Sequence, residues 1–323
     1  MLTWDIIGQL AWTGIASSTY YCLFAIAFAL MLKVNRVWNF GQAGMMVVAY
    51  FAMFVSFRLL GLHPTLGIVI GAATTISVSL AIEWFGFRVL RARNSSVLTY
   101  FIFTIILSQF AIYTAELIFG PDPKTLFVSI MSPVFLVGPI VVSHWDLQAL
   151  AATAVLVIAL AAFLRFTKDG QFLFAVADNP ELAEIYGISS ARAYAIAMLI
   201  AAIFVVAGMY LVGVRAAMFP ATPLNQFLIF AVIATLLAGI GNVFAAGVAA
   251  VALSLLQSFS ILVISSTWQI LLIYIVLFIT ILLFPAGVVL PGSSRKIQRA
   301  AARDIPLAVP AAAPDRRKAD GRP

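Results

Sequence analysis

The sequence predicts an all-α protein, a polytopic transmembrane helical bundle of about nine spans. Three observations carry this. Of the 323 residues, 63% are hydrophobic and only 10% are charged, and the mean hydropathy is +1.09. A water-soluble domain of this length could not hide that much apolar side chain. Several apolar runs exceed ~18 residues, the length that reads as a membrane-spanning helix. The basic residues are also segregated. Segments 33–40, 88–96 and 165–192 and the C-terminal tail hold every Lys and Arg except Arg58, Lys124 and Arg215. By the positive-inside rule this places the N-terminus outside and the C-terminus inside, which an odd number of spans requires.

The spans follow from the apolar runs in order. The first covers about 8–32 and ends at Lys33 and Arg36. The second, about 41–57, ends near Arg58 and His63. The third, about 66–87, meets Arg88, Arg91 and Arg93. The fourth covers about 97–119 and leads into a Gly- and Pro-containing loop, 120–139. The fifth, about 147–164, delivers the chain to Arg165 and Lys168. The sixth, about 193–212, precedes a loop with Pro220 and Pro223. The seventh covers about 227–238, the eighth 243–263 and the ninth about 270–284. Spans two and seven are short and flanked by glycine, so each reads either as a complete crossing or as a broken or re-entrant helix. Beyond Gly292 the chain is rich in Ala, Pro and Arg without apolar period, which predicts a disordered basic tail over 292–323. Arg295, Lys296, Arg299 and Arg303 lie where they can meet anionic lipid or simply enforce topology. The basic charge is topological and calls for no nucleic acid. The N-terminus has no basic n-region, so no cleaved signal peptide is expected.

One long polar segment interrupts the apolar pattern, residues 167–190. Its core reads as a short helix. Asn179 or Asp178 can cap the first amides, and Pro180 suits the first helical position. Glu181 and Glu184 lie near the positive end of the helix dipole. Leu182, Ile185 and Tyr186 fall on one face, and Gly187 can end the helix in a left-handed conformation. Such a helix lies on lipid or on its own protein, or it docks in a partner's groove.

Two other junctions stand out. Trp38-Asn39-Phe40-Gly41-Gln42-Ala43-Gly44 joins the first two spans. Asn39 is the polar residue best placed to cap the second, and Asn39 and Gln42 set two amides beside small residues that permit close backbone approach. The segment reads as a cap with a tight helix contact, or as irregular backbone lining a translocation route. Gly239, Gly241 and Asn242 repeat the Gly/Asn pairing late in the chain, as turn chemistry or as the matching break of a repeat-built transporter. Glu83, near the inner surface, is placed to pair with an Arg or to snorkel. No Asp, Glu or Lys reads as mid-membrane, which disfavours an ion-coupled carrier. His63 and His144 have no ligand spacing, no phosphate-binding G-x-x-x-x-G-K-[ST] occurs, and neither a metal, a cofactor nor a catalytic site is expected.

The polar segment carries a resemblance. Glu181-Leu182-Ala183, three residues and Gly187 resemble the coupling motif E-A-A-x-x-x-G of ABC-importer permeases, with Leu182 in place of the first Ala. The longer run through Gly170, Ala175-Val176, Asn179-Pro180-Glu181 and Gly187-Ile188 resembles the branched-chain amino acid ABC permeases. The Asn39 segment is similar to their N-F-A-H-G signature with Gln42 where many members have His. Glu83 to Arg91 resembles their E-R-x-x-x-R-P-L-R stretch, and Ala238 to Asn242 their G-G-x-G stretch. The order of these segments over about residues 8–290 points to the H-type subunit of the leucine/isoleucine/valine importer. That resemblance implies a permease domain over 1–291 in the bacterial inner membrane, with no ATPase site of its own. It implies a second homologous permease subunit, two ABC ATPase subunits and a periplasmic substrate-binding protein as partners. Residues 179–183 and 185–187 would couple to the ATPase. Asn39, Gly41, Gln42, Gly44, Gly239, Gly241 and Asn242 would belong to the translocation pathway. A urea or short-amide permease and, from another class, a stand-alone carrier or channel remain the alternatives.

Overall fold

The computed structural model describes residues 4–127, 133–215, 224–239, 241–265 and 268–283. The tail 292–323, with its basic cluster, and the loop containing Pro220 and Pro223 lie outside them. The described chain is almost wholly helical. It comprises α1 (Trp4–Asn35), α2 (Gln42–Phe54), α3 (Pro64–Ala81), α4 (Arg88–Ala92), α5 (Val97–Phe119), α6 (His144–Phe166), α7 (Lys168–Asp178), α8 (Pro180–Ile185), α9 (Ser190–Arg215), α10 (Leu224–Ala238), α11 (Val243–Ser260) and α12 (Gln269–Leu283). Between α5 and α6 lies an antiparallel hairpin of β1 (Val134–Val137) and β2 (Ile140–Ser143), with Val134 opposite Ser143. The predicted loop 120–139 therefore ends in a strand. A π-helical turn, Val55–Leu59, extends α2, and another, Ile82–Phe87, fuses α3 to α4.

Seven described helices are long and apolar enough to cross a membrane. Span two is one of them, an unbroken 18-residue helix over Gln42–Leu59. The described parts of α10 and α12 have 15 residues each. At ~1.5 Å per residue they fall short of a ~30 Å hydrocarbon core.

The helix α1 is the axis of the bundle. Every residue from Leu23 to Leu32 is buried. It has no polar face because α6, α9, α10 and α11 surround it. Hydroxyl groups on neighbours bond its main chain. Ser254 Oγ donates to the Gly14 oxygen at 2.8 Å and Ser258 Oγ to the Leu10 oxygen at 2.6 Å. These bonds run α11 antiparallel to α1. By contrast α3, α5 and α6 turn much of their apolar surface outward: in their most apolar stretches only 22% of residues are buried, against 72% in α1. Helix alternation gives the bundle two ends. One carries α7, α8, the α1–α2 junction and the α10–α11 turn; the other carries the hairpin and the starts of α1 and α6.

Candidate functional site

The polar segment 167–190 holds two helices where the sequence reading gave one. Thr167 starts α7, its Oγ1 accepting from Gly170 N at 3.0 Å. The helix is amphipathic and turns Leu173, Val176 and Ala177 into the bundle. Asn179 N donates to the Ala175 oxygen, which ends α7, and the Asn179 side chain then starts α8 by accepting from Leu182 N at 3.0 Å. Pro180 holds the first position of α8. At the far end Ile188 N donates to the Ala183 oxygen and Gly187 N to the Glu184 oxygen, at 3.0 and 2.9 Å. Gly187 has φ +79°, so the helix closes with a left-handed glycine and the paired bonds of a Schellman motif.

The two helices are anchored on one side only. Arg36, itself at φ +54°, donates from Nη2 to the Ala177 and Asp178 oxygens at 2.9 and 2.8 Å. Those carbonyls lie at the negative end of α7, where a cation is favoured. Lys33 Nζ lies 4.3 Å from the centre of the Phe174 ring, and Arg192 pairs with Asp169 at 3.0 Å. In α8 only Ala183 is buried. Leu182 is exposed, and Ile185 and Tyr186 are 80% and 78% exposed. The expected apolar face exists, and nothing in the described chain covers it.

The α1–α2 junction corrects one expectation. Asn39 does not cap α2: Gly41 stands at that position and no side chain bonds there. Asn39 is instead buried, and its Oδ1 has no hydrogen-bond partner among the described residues. The helix starts without a side-chain cap because tight main-chain bonds, Gln42 N to the Asn39 oxygen and Ala43 N to the Phe40 oxygen, close the turn. Gln42 is also buried. Its Nε2 donates to the Phe24 oxygen at 3.1 Å, while its Oε1 is unpartnered, as are both side-chain polar atoms of Asn35. Three buried amides with unused capacity thus gather at this end of α1. Gly41 and Gly44 line an apolar cavity of about 340 Å³ against α5. A Cβ at Gly44 would lie 3.1 Å from Ser108 Cα and 3.2 Å from Ala111 Cβ.

At the α10–α11 turn, Gly239 and Gly241 have φ +84° and +112°. Asn242 caps α11, its Oδ1 accepting from Ala245 N at 3.2 Å. This turn shares the end of the bundle with α8 and Asn39. Glu83 is buried and pairs with Arg91, two turns on, rather than with Arg88. The Arg91 guanidinium also lies 4.2 Å from the centre of the Tyr194 ring.

One feature missed in the sequence lies at the other end. A cavity of about 560 Å³ opens between α1, α6 and α9 beneath the hairpin, with Asp146 and Arg215 at its rim. Their only sequence signal was that Arg215 is one of three basic residues outside the basic segments. Among the described residues no group of His, Cys, Asp and Glu comes together to hold a metal.

A family model described as branched-chain amino acid transport system, permease component, matches residues 10–282. Among solved structures, the chain is similar to PsaBC from Streptococcus pneumoniae in complex with Fab, with 13% identity, a TM-score of 0.47, and coverage of 85% of this chain and 91% of that one. No curated protein matches.

Proposed function

The chain belongs to the permease-component family of branched-chain amino acid transport systems, and from that premise we propose that it is a membrane subunit of a binding-protein-dependent ABC importer. It carries branched-chain or related amino acids across the bacterial inner membrane. A second homologous permease completes the route, a periplasmic binding protein delivers the ligand, and two separate ATPase subunits supply the energy. The end of the bundle carrying α7 and α8 faces the cytoplasm, in keeping with the basic residues gathered there.

The observation that carries this reading is the exposed apolar face of α8 on an anchored support. Leu182, Ile185 and Tyr186 project from a helix capped at both ends, and α7 beneath it is tied to α1 and α9 by Arg36, Lys33 and Arg192. A short amphipathic helix offered in this way suits insertion into a partner's groove, and its tethers pass a push directly into α1. Residues 179–183 and 185–187 are the coupling set. Asn39, Gly41, Gln42 and Gly44, with Gly239, Gly241 and Asn242, border the route at the cytoplasmic end.

The test is uptake by proteoliposomes holding the permeases, the ATPases and the binding protein. Branched-chain amino acid uptake should require internal ATP and persist when a protonophore collapses the ion gradient. Uptake that follows the gradient at constant ATP would instead make the chain a secondary carrier. Uptake of urea or short amides in place of amino acids would move it to the amide permeases.

A further inference from the structure

The cavity at the hairpin end is lined by the charges Asp146 and Arg215 and by mainly apolar side chains, with Thr19, Tyr20, Gln148 and Tyr210 among them. On α6, Asp146 heads the stripe Ala149, Ala152 and Leu156, which descends one face of the helix into the cavity. On α9, Arg215 heads the matching stripe Leu211 and Ala207. The small side chains leave the space, and 560 Å³ falls within the range of small-molecule sites, roughly 300–1,000 Å³.

The two charges are held but loosely joined. Arg215 Nη1 lies 3.5 Å from Asp146 Oδ1, and Arg215 Nη2 lies 3.5 Å from the Thr13 oxygen. Both separations exceed the ~2.7–2.9 Å of a strong charge-assisted bond. Each side chain is also stabilised without the other. Asp146 sits in the first turn of α6 and Arg215 in the last turn of α9, where each helix dipole favours its charge. Both are partly shielded, at 18% and 31% exposure. A ligand bearing one cationic and one anionic group could enter between them, exchanging one long ion pair for two short ones.

We propose that this cavity binds a zwitterionic α-amino acid with an apolar side chain, its ammonium on Asp146, its carboxylate on Arg215 and its side chain among Ala149, Ala152, Leu156 and Leu211. The site deepens the importer reading, on which it rests for its place in transport: it gives the membrane subunit its own recognition of the ligand at the end opposite α8. The apolar cavity behind Gly41 and Gly44 offers no charge to such a ligand.

The experiment is binding to the purified full chain in phosphatidylcholine nanodiscs, read by saturation-transfer NMR and by fluorescence of Trp145, which lines the cavity. The ligands are leucine, leucinamide, which lacks the carboxylate, and 4-methylpentanoate, which lacks the ammonium. Leucine should bind, and each analogue should bind at least ~10-fold more weakly, since each leaves a charged group without its partner. Asp146→Asn and Arg215→Gln should weaken leucine by a similar factor while melting as the wild type does, and Ala152→Phe should block it by filling the floor. The wild-type ligand series stands even if a variant fails to fold. Equal signals from the three ligands, no leucine binding, or undiminished binding in both folded charge variants would overturn the proposal. So would leucine binding abolished by phosphatidylethanolamine in the nanodiscs, which would assign the pair to a lipid headgroup. ATP-driven uptake with no binding here would remove this site and leave the importer intact; binding here with gradient-driven uptake would do the reverse.

Discussion

The Arg36 guanidinium donates to the main-chain oxygen of Asp178 at 2.8 Å, across 142 residues of sequence. A second bond, to Ala177, doubles the clamp. The first connection of the chain thereby grips the C-terminal end of α7 and joins α7 to the central helix. Arg36→Ala removes both bonds and leaves two carbonyls to water. Because hydrogen bonds to a charged group contribute roughly 1.5–3 kcal/mol, α7 should open locally and its amide exchange should quicken. ATP hydrolysis should continue with less uptake per ATP. Unchanged exchange in α7 would show that Arg36 does not hold it.

Leu182→Ser with Ile185→Ser tests α8 itself. Both side chains are exposed, so the change should alter stability by no more than ~0.5 kcal/mol. Uptake and its coupling to ATP hydrolysis should nevertheless collapse. A variant that assembles with the ATPase and transports normally would leave the apolar face with no role in docking.

At the α1–α2 junction stability and transport should separate. Asn39→Ala deletes a buried oxygen that has no partner among the described residues, so the protein should be as stable or slightly more so. Gln42→Ala removes a hydrogen bond to the Phe24 oxygen, which keeps its partner within α1, and should cost about 0.5–1.5 kcal/mol. If the amides border the route, both variants lose uptake per folded molecule. Thermal melting and uptake measured on the same preparations decide this, and normal uptake in both makes the segment structural.

Gly44→Leu drives a large side chain into α5. With Ser108 Cα already 3.1 Å from where a Cβ would stand, overpacking should cost roughly 1–3 kcal/mol. A lowered melting temperature is expected, and Gly44→Ala should lie between the two.

The Glu83–Arg91 pair, buried on its Glu83 side, should tolerate joint replacement better than single loss. Glu83→Gln leaves the half-buried Arg91 charge without its carboxylate, which should cost about 1–3 kcal/mol. Glu83→Leu with Arg91→Met removes both charges and should recover most of that. Melting of the three proteins gives the answer, and a double variant no better than the single one would refute it.

What the sequence determined by itself was whatever depends on local pattern. Runs of apolar residues long enough to cross a membrane give the helices. Asn179, Pro180 and Gly187 write both ends of α8 within nine residues, so its cap and its left-handed stop were legible. The order of the polar segments was enough to identify the family. Other features needed partners distant in the chain. The amphipathic α7 was hidden in a segment that reads as polar, because its inward stripe has meaning only against α1 and α6. Asn39 looked like a cap, yet main-chain bonds close that turn and tertiary burial takes its side chain. Asp146 and Arg215 lie 69 residues apart, each an ordinary helix-end charge. Only the packing of α6 and α9 around α1 sets them over one cavity, because a charge pair is made by distance in space and a linear pattern carries none.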